Sequence, residues 1–340
     1  MAPGLCKAVG WSVVAMWIFG LQNYIIGYTN SLPGDDFNRT VGLLWLATGL
    51  CGAVFLCMNC SRGVFFADSE ETPLSSALLP SSEPPPLPLM PKVVTVAGGI
   101  AIGGAQLFMK LSFAADPEAM GPLASVVCAD VILVSLLCHF FYNERLTPGQ
   151  WGSVALVFAG LVTMAGPFGG GGGGVSLTGF GFAVCAMLCF GASVFSVRVA
   201  AVGGLSAASG FIARTICMGV VGVLPLLCAD WSGVTPLGVA LPMLCGLLQA
   251  SGVYAINEAL GAGPYTSIAI AIFGSNSVVV LLLSAVLEAK VPPPSGLFGM
   301  GLTAAGCITV SLFAKQPDPH KSSARCTAVA SPMMSRGTAP

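Results

Sequence analysis

Long apolar runs alternate with short polar segments along almost the whole chain. A helix of about 18 to 20 residues, at 1.5 Å per residue, crosses the roughly 30 Å hydrocarbon core of a bilayer. The pattern therefore predicts an all-α polytopic membrane protein of about ten transmembrane helices. The runs fall near residues 8–28, 40–58, 93–113, 119–142, 148–167, 177–197, 208–229, 235–257, 263–287 and 294–314.

Composition supports the same class. Only 8% of the 340 residues are charged and 55% are hydrophobic, whereas a soluble domain carries about 25% charged residues. A soluble domain is excluded, and we expect the lipid bilayer as the environment and no nucleic-acid partner. Most of the 13 cysteines lie inside apolar runs, and the chain has only 2 histidines. The cysteines therefore act as small hydrophobic residues, and we expect no metal site and no cofactor.

Three segments of small or polar residues interrupt or follow the apolar runs. Residues 67–91 are rich in proline, serine and acidic residues, which predicts a flexible linker. Residues 169–175 are mostly glycine, and residues 315–340 form a polar tail expected to be disordered. Lysine and arginine number nine on the side that holds both termini and three on the other, which predicts cytosolic termini. The plasma membrane and the Golgi or other endomembranes both stay open.

The two halves of the chain share a series of motifs. Gly10–Gly20 and Gly181–Gly191 have the same residue at six of eleven positions. The fourth and ninth runs each end on a glutamate, which is followed by proline four residues later and by glycine eight residues later. These residues are predicted to form a structural motif at the turn into the next helix: Glu144, Gly152, Glu288 and Gly296.

The repeated motifs predict two five-helix repeats, residues 1–168 and 176–314, joined through the glycine run. An odd number of helices in each repeat forces the second copy to insert upside down, which gives an inverted repeat. Gln106 and Gln249 occupy equivalent positions in the third and eighth runs. Because the glutamate motif recurs at opposite ends of the inverted repeats, we expect its role to be architectural, at a turn or a helix N-terminus.

The segments FFYNERLTPGQWGSVALVFAGLVTMAG and AVLEAKVPPPSGLFGMGLTAAGCITV carry this motif in the two halves. They resemble the signature of the drug/metabolite transporter superfamily, of the EamA-like type, and the resemblance covers residues 8–314. It implies ten helices and a secondary active transporter that moves a small organic metabolite by alternating access around a central cavity. The second copy has Glu-Ala-Lys-Val where the first has Glu-Arg-Leu-Thr, and the long Pro/Ser linker is not part of the family pattern. The subfamily and the substrate stay open.

Charged residues inside apolar runs are candidates for the transport site, because a charge at membrane depth is costly and faces a cavity or a partner. Asp130 is the deepest and would serve as a proton-coupling carboxylate or a cation ligand. Its alternative role is structural, either to pair with Arg214 or to cap a neighbouring helix. A coupling proton or ion therefore stays open.

Polar side chains on equivalent faces of the two halves complete the predicted substrate site. Gln106 and Lys110 are four residues apart and share a helical face, and a lysine there would suit an anionic substrate. The alternative is a lysine that reaches the interface from a helix end. The other predicted members are Arg214, Gln249, Tyr254, Asn257, Glu258 and Asn276. Gln22 and Asn23 add a polar cluster in the first run.

Two other function classes compete with the carrier. A non-transporting membrane receptor or scaffold would use the Pro/Ser linker or the tail as a partner surface. A membrane enzyme is the less favoured alternative, because the chain has no HExxH, nucleophile-elbow or P-loop motif. We therefore expect no enzymatic activity and no catalytic residues; the two adjacent acids of LPGDDF lie on a short loop. A homodimer stays open.

Overall fold

The computed structural model describes residues 3–61, 89–142, 147–165, 175–202, 205–261, 269, 272–289 and 294–313. These residues form eleven α-helices and no strand. The helices are α1 Pro3–Thr29, α2 Phe37–Ser61, α3 Leu89–Ala115, α4 Met120–Cys128, α5 Asp130–Tyr142, α6 Pro148–Ala165, α7 Leu177–Val202, α8 Ala207–Leu227, α9 Pro236–Gly261, α10 Asn276–Leu287 and α11 Pro294–Leu312.

Seven helical stretches in the described residues are long and apolar enough to cross a membrane. They are Cys6–Thr29, Phe37–Cys60, Leu89–Ala115, Met120–Phe141, Leu177–Ala200, Ala207–Leu227 and Pro236–Leu260. A shorter apolar helix covers Ile272–Leu287. The prediction of an all-α, polytopic membrane protein is therefore confirmed, whereas the count of ten spans stays a prediction.

Several segments singled out in the sequence lie outside the described residues. They are Glu144, the glycines of the 169–175 linker, the tail from residue 315 and most of the 67–91 linker. The end of that linker was predicted wrongly, because α3 already begins at Leu89. Pro91 does not prevent this, since the first turn of a helix needs no backbone N–H from its residues.

The helices α2 and α8 pack antiparallel through glycine. A Cβ added to Gly49 would overlap the Cα of Gly219, so the two backbones touch. Towards the start of α2, a Cβ on Gly42 would lie 2.6 Å from Leu226 Cγ. Small residues allow such close approach, which gives membrane helices the packing contacts that the hydrophobic effect cannot supply inside lipid.

Three further antiparallel pairs complete the bundle: α1 with α9, α3 with α7, and α6 with α11. In the α3–α7 pair the Ser112 hydroxyl donates to the Gly179 carbonyl oxygen at 2.8 Å. At the other end of these helices, a Cβ on Gly98 would lie 2.8 Å from Ser196 Cβ. In all four pairs, one helix comes from the first half of the chain and its partner from the second.

Two apolar helical stretches, Met120–Phe141 and Ile272–Leu287, are each interrupted by a turn. Ala129 separates α4 from α5, and its N–H donates to the Val126 carbonyl oxygen at 3.1 Å. Ser275 precedes α10, and its N–H donates to the Ile272 carbonyl oxygen, also at 3.1 Å. These bonds to the third residue back tighten the turn, as in a 3₁₀-helix, and such a turn inside a helix often marks a hinge.

Candidate functional site

A chain of three buried glutamines crosses the centre of the bundle. Gln22 Nε2 on α1 donates to Gln106 Oε1 on α3 at 3.0 Å. Gln106 Nε2 in turn donates to Gln249 Oε1 on α9 at 2.8 Å. All three side chains are buried. Because each amide group carries both a donor and an acceptor, the hydrogen bonds of this chain can run in either direction if the amides flip. The structure thus brings together the two glutamines that the motifs predicted to be equivalent.

The two helix breaks lie against each other. Cys128, the last residue of α4, has its Sγ 3.4 Å from Asn276 Oδ1 at the start of α10. Asn23 Nδ2 on α1 donates to the same oxygen at 3.2 Å. The Asn276 side-chain nitrogen donates to the Phe273 carbonyl oxygen at 3.1 Å. Asn276 therefore stabilises the turn that precedes it and links that turn to α1 and α4.

Asp130 begins α5 immediately after the first break, and only 2% of its surface is exposed. Its Oδ1 atom is buried and accepts no hydrogen bond from any residue that the structure describes. Asp130 and Arg214 form no ion pair, although both lie in the described residues. The predicted alternative that Asp130 pairs with Arg214 is therefore not realised in this conformation.

Arg214 lines a small cavity between α1, α3, α7, α8 and α9. Its Nη2 donates to the hydroxyl of Ser193 on α7 and lies 3.5 Å from the Ser193 carbonyl oxygen. Its Nε and Nη1 atoms are buried and have no hydrogen-bond partner among the described residues. The cavity measures about 20 Å³ and has an otherwise apolar lining that includes Phe19, Ile102, Phe190 and Phe273.

Lys110 lies instead at one end of the bundle, where it forms what we term the lysine latch, comprising Lys110, Thr29, Asn30 and Asp35. Its Nζ forms an ion pair with Asp35 Oδ2 at 2.8 Å. It also donates to Asn30 Oδ1 at 2.8 Å and to Thr29 Oγ1 at 3.1 Å. These three contacts use all three ammonium hydrogens. Lys110 is 1% exposed, so in this conformation it has no donor left for a substrate.

A second contact closes the same end between the two halves of the chain. Arg39, near the start of α2, donates through Nη1 to the Asp230 carbonyl oxygen at 2.7 Å and through Nη2 to the Gly34 carbonyl oxygen. The Ser232 backbone N–H and its hydroxyl donate to the Asp230 carboxylate, each at 2.8 Å. These bonds, and to a lesser degree the charge of Arg39, lower the pKa of the Asp230 carboxyl.

Tyr254 lies towards the opposite end, where it packs in an aromatic cluster formed with Trp11, Phe55 and Phe211. The ring centroids of these three residues lie 5.7 to 5.9 Å from that of Tyr254. Glu258, one turn further along α9, forms an ion pair with Lys7 at 3.1 Å. Asn257 is buried, and its Oδ1 has no partner. The predicted face of α9 thus contacts α1, α2 and α8 at this end of the bundle and does not join the glutamine chain.

The predicted glutamate motif is described in part. Glu288 follows the last residue of α10, and its N–H donates to the Ser284 carbonyl oxygen at 3.1 Å. Gly296 is buried in α11, whereas Gly152 on α6 is exposed, and a Cβ there would meet nothing within 4 Å. The close α6–α11 contact uses Gly160 instead, where a Cβ would lie 2.7 Å from the Gly299 carbonyl oxygen.

Comparison with known proteins gives the fold alone. No family model matches the chain, and no curated protein matches it. A solved crystal structure described only as that of a protein is similar to this chain with a TM-score of 0.60 and 18% sequence identity. The alignment covers 90% of this chain and 99% of the other.

Sequence reasoning missed two residues of this site. Ser193 lies 171 residues after Gln22, the same offset that relates Gly10 to Gly181, so the repeat contained a signal for it. Asp35 was predicted to lie on a short loop and was given no role. The predicted topology places the end of the third run and the loop after the first run on the same side of the membrane. The topology therefore implied that Lys110 lies near that loop, although the pairing of Lys110 with Asp35 was not predicted.

Proposed function

We propose that this protein is a secondary active transporter that carries a small organic solute by alternating access between two five-helix halves. The observation that carries the proposal is a buried polar core where the halves meet. This core comprises the glutamine chain and the Asn23–Asn276 contact at the helix breaks. Transporters built from inverted repeats place their sites at broken helices near the bilayer midplane. The resemblance of the two glutamate-containing segments to drug/metabolite transporters points the same way.

The packing of the helices supports the repeat. Exchanging the halves pairs α1 with α7, α2 with α8, α3 with α9, α4–α5 with α10, and α6 with α11. Under this exchange, the contact of α1 with α9 becomes the contact of α7 with α3, and both are present. The contact of α2 with α9 becomes that of α8 with α3, which is also present. The α2–α8 and α6–α11 pairs map onto themselves.

The two ends of the bundle supply the gates that alternating access requires. At one end, the lysine latch and the Arg39 contacts hold the α1–α2 loop against α3 and the α8–α9 loop. At the other end, the aromatic cluster and the Lys7–Glu258 pair link α1, α2, α8 and α9. The polar core lies between these closures, so one end opens while the other stays closed.

Flux measurements test this proposal. The purified chain is reconstituted into liposomes and assayed with a panel of labelled solutes: nucleotide sugars, sugar phosphates, amino acids and monocarboxylates. We expect saturable uptake of at least one class. The Gln106→Leu variant should reduce this uptake, whereas Lys92→Gln, at an exposed site on the same helix, should not. Absence of uptake across the panel, from protein that is folded in the liposomes, contradicts the carrier and favours a non-transporting receptor or scaffold.

A further inference from the structure

We infer that Arg214 and Ser193 form a binding site for a monovalent anion, supplied by the carboxylate of a solute or by a free halide. The first source rests on the proposed transport function, whereas the second does not. Arg214 is 4% exposed, and its Nε and Nη1 atoms have no hydrogen-bond partner in the part of the chain that the structure describes. A guanidinium has five N–H donors, so one on Nε and two on Nη1 are unused.

Charge balance indicates that the ligand is an anion. Removing a cation from water is expensive unless it is paired, and a membrane interior increases that cost. The ion pairs formed among the described residues join Lys7 to Glu258 and Lys110 to Asp35. Neither involves Arg214, and its protein contacts are with the neutral Ser193. The guanidinium therefore has no counter-charge from these parts of the chain.

The cavity indicates that the anion is monovalent. Apart from Arg214 and Ser193, its lining consists of aromatic and aliphatic side chains. One bound negative charge would neutralise Arg214, whereas a dianion such as a phosphate monoester would leave an unpaired charge in apolar surroundings. A zwitterionic amino acid would need a carboxylate for its ammonium group, and none lines this cavity. A volume of about 20 Å³ admits a group the size of one water, so a larger solute requires further opening.

The site is distinct from the anion site that the sequence suggested. Lys110 was expected to serve an anionic substrate, but its three hydrogen bonds satisfy it within the latch. Arg214, by contrast, is buried, has unused hydrogen-bond donors and lines a cavity. Ser193 fixes the orientation of the guanidinium from the neighbouring helix, which leaves the opposite edge free to bind.

The test measures thermal stability of the purified full-length chain in sodium chloride, sodium isovalerate and sodium sulfate at equal ionic strength. A ligand that binds the folded state raises the melting temperature in a saturable manner. We expect this rise with chloride, with isovalerate or with both, and not with sulfate. Neutral isovaleramide should have no effect. Chloride alone identifies a free halide as the source, and isovalerate identifies the carboxylate of a solute.

Two variants test whether the anion-dependent rise in melting temperature depends on Arg214. Arg214→Gln should weaken the anion response by at least about 30-fold, since removing one member of a buried charge pair has an effect of that size. Lys92→Gln, which removes an exposed cation from α3, should retain it. If Arg214→Gln does not fold, Arg214→Lys keeps the charge but loses the planar fork, and a weakened response is expected from it. The inference is overturned if neither chloride nor isovalerate gives a saturable rise in the parent protein, or if the response is unchanged in Arg214→Gln; the non-saturable rise that sulfate causes by exclusion from the protein surface does not count as binding.

Failure of the anion site and failure of the carrier have different signatures. An Arg214-dependent anion response without flux of any solute contradicts transport but upholds the site. Flux that Arg214→Gln leaves unchanged, in protein without an anion response, contradicts the site but upholds transport.

Discussion

Lys110 and Arg214 are both buried cations within helices of membrane-spanning length, yet their surroundings are opposite. Lys110 has a carboxylate, an amide oxygen and a hydroxyl around its ammonium group. Arg214 has one serine and an apolar cavity. The satisfied cation stabilises one closed end, whereas the unsatisfied one is suited to a ligand. Burial alone therefore does not identify a binding residue; the inference for Arg214 rests on its unused donors together with the cavity that it lines.

Removing the satisfied cation should have the largest effect on stability. Lys110→Met leaves Asp35 without its cation, and we expect a loss of about 3 kcal/mol in the free energy of unfolding, because breaking a buried ion pair leaves an uncompensated charge. Unfolding of the variant in mixed micelles measures this loss. Adding Asp35→Asn to Lys110→Met should recover part of the stability. If Lys110→Met is as stable as the exposed-site control Lys92→Met, the latch does not stabilise the closed end.

The glycine contact between α2 and α8 gives the next effect. Gly49→Leu forces the two helices apart where their backbones touch, and overpacking of this kind costs about 2 kcal/mol. Gly152→Leu is the matched control, because Gly152 is exposed and a Cβ there meets nothing within 4 Å. The same micelle unfolding assay compares the two variants. Equal stability would show that α2 and α8 do not approach as closely as the structure indicates.

Interrupting the glutamine chain should have a smaller effect on stability than on transport. Gln106→Leu leaves the Gln22 donor and the Gln249 acceptor without their shared partner. Hydrogen bonds between membrane helices contribute about 1 kcal/mol each, so we expect a loss of that order. Liposome flux of the same variant should fall further than stability predicts, since the chain joins α1, α3 and α9. Unchanged flux would confine the glutamines to a packing role.

Removing the unsatisfied cation should have the smallest effect on stability. In sulfate, Arg214→Met should unfold within about 1 kcal/mol of the parent protein or be more stable, since replacing a buried charge with an apolar group is often neutral or stabilising. The comparison with Lys110→Met is the informative quantity. A loss of about 3 kcal/mol from both variants would mean that Arg214 is as well satisfied as Lys110.

The helices were predictable, but the breaks within them were not. Apolar runs define the described helices because each must satisfy its backbone inside lipid. The turn at Ala129 has no such signal, because alanine is the strongest helix former. The turn at Ser275 lies in a Gly-Ser-Asn-Ser cluster that is typical of turns, but the apolar residues on both sides of it favoured one continuous run. The two turns lie where α4 packs against α10, and packing of this kind depends on segments far apart in the chain.

The candidate site was predictable where the repeat supplied a second copy. Gln106 and Gln249 were matched from the sequence, and they form a direct hydrogen bond. The surroundings of Lys110 and Arg214 were not predictable from their depth alone. The partner of Lys110 lies 75 residues away on a loop, and the unused donors of Arg214 depend on which side chains from four other helices fail to reach them.

Alternating access requires that the closed end, where the α1–α2 and α8–α9 loops meet, comes apart during transport. Asn38 Nδ2 lies 3.5 Å from the carbonyl oxygen of Cys228, an exposed free cysteine on the facing loop. The direct measurement is flux through the Asn38→Cys variant after a short bis-methanethiosulfonate reagent, which forms a reducible disulfide with each thiol, bridges the new cysteine to Cys228. The parent protein, treated with the same reagent, is the control. We predict that the bridge stops flux in the variant alone and that reduction restores it; full flux through bridged protein would contradict alternating access at this end.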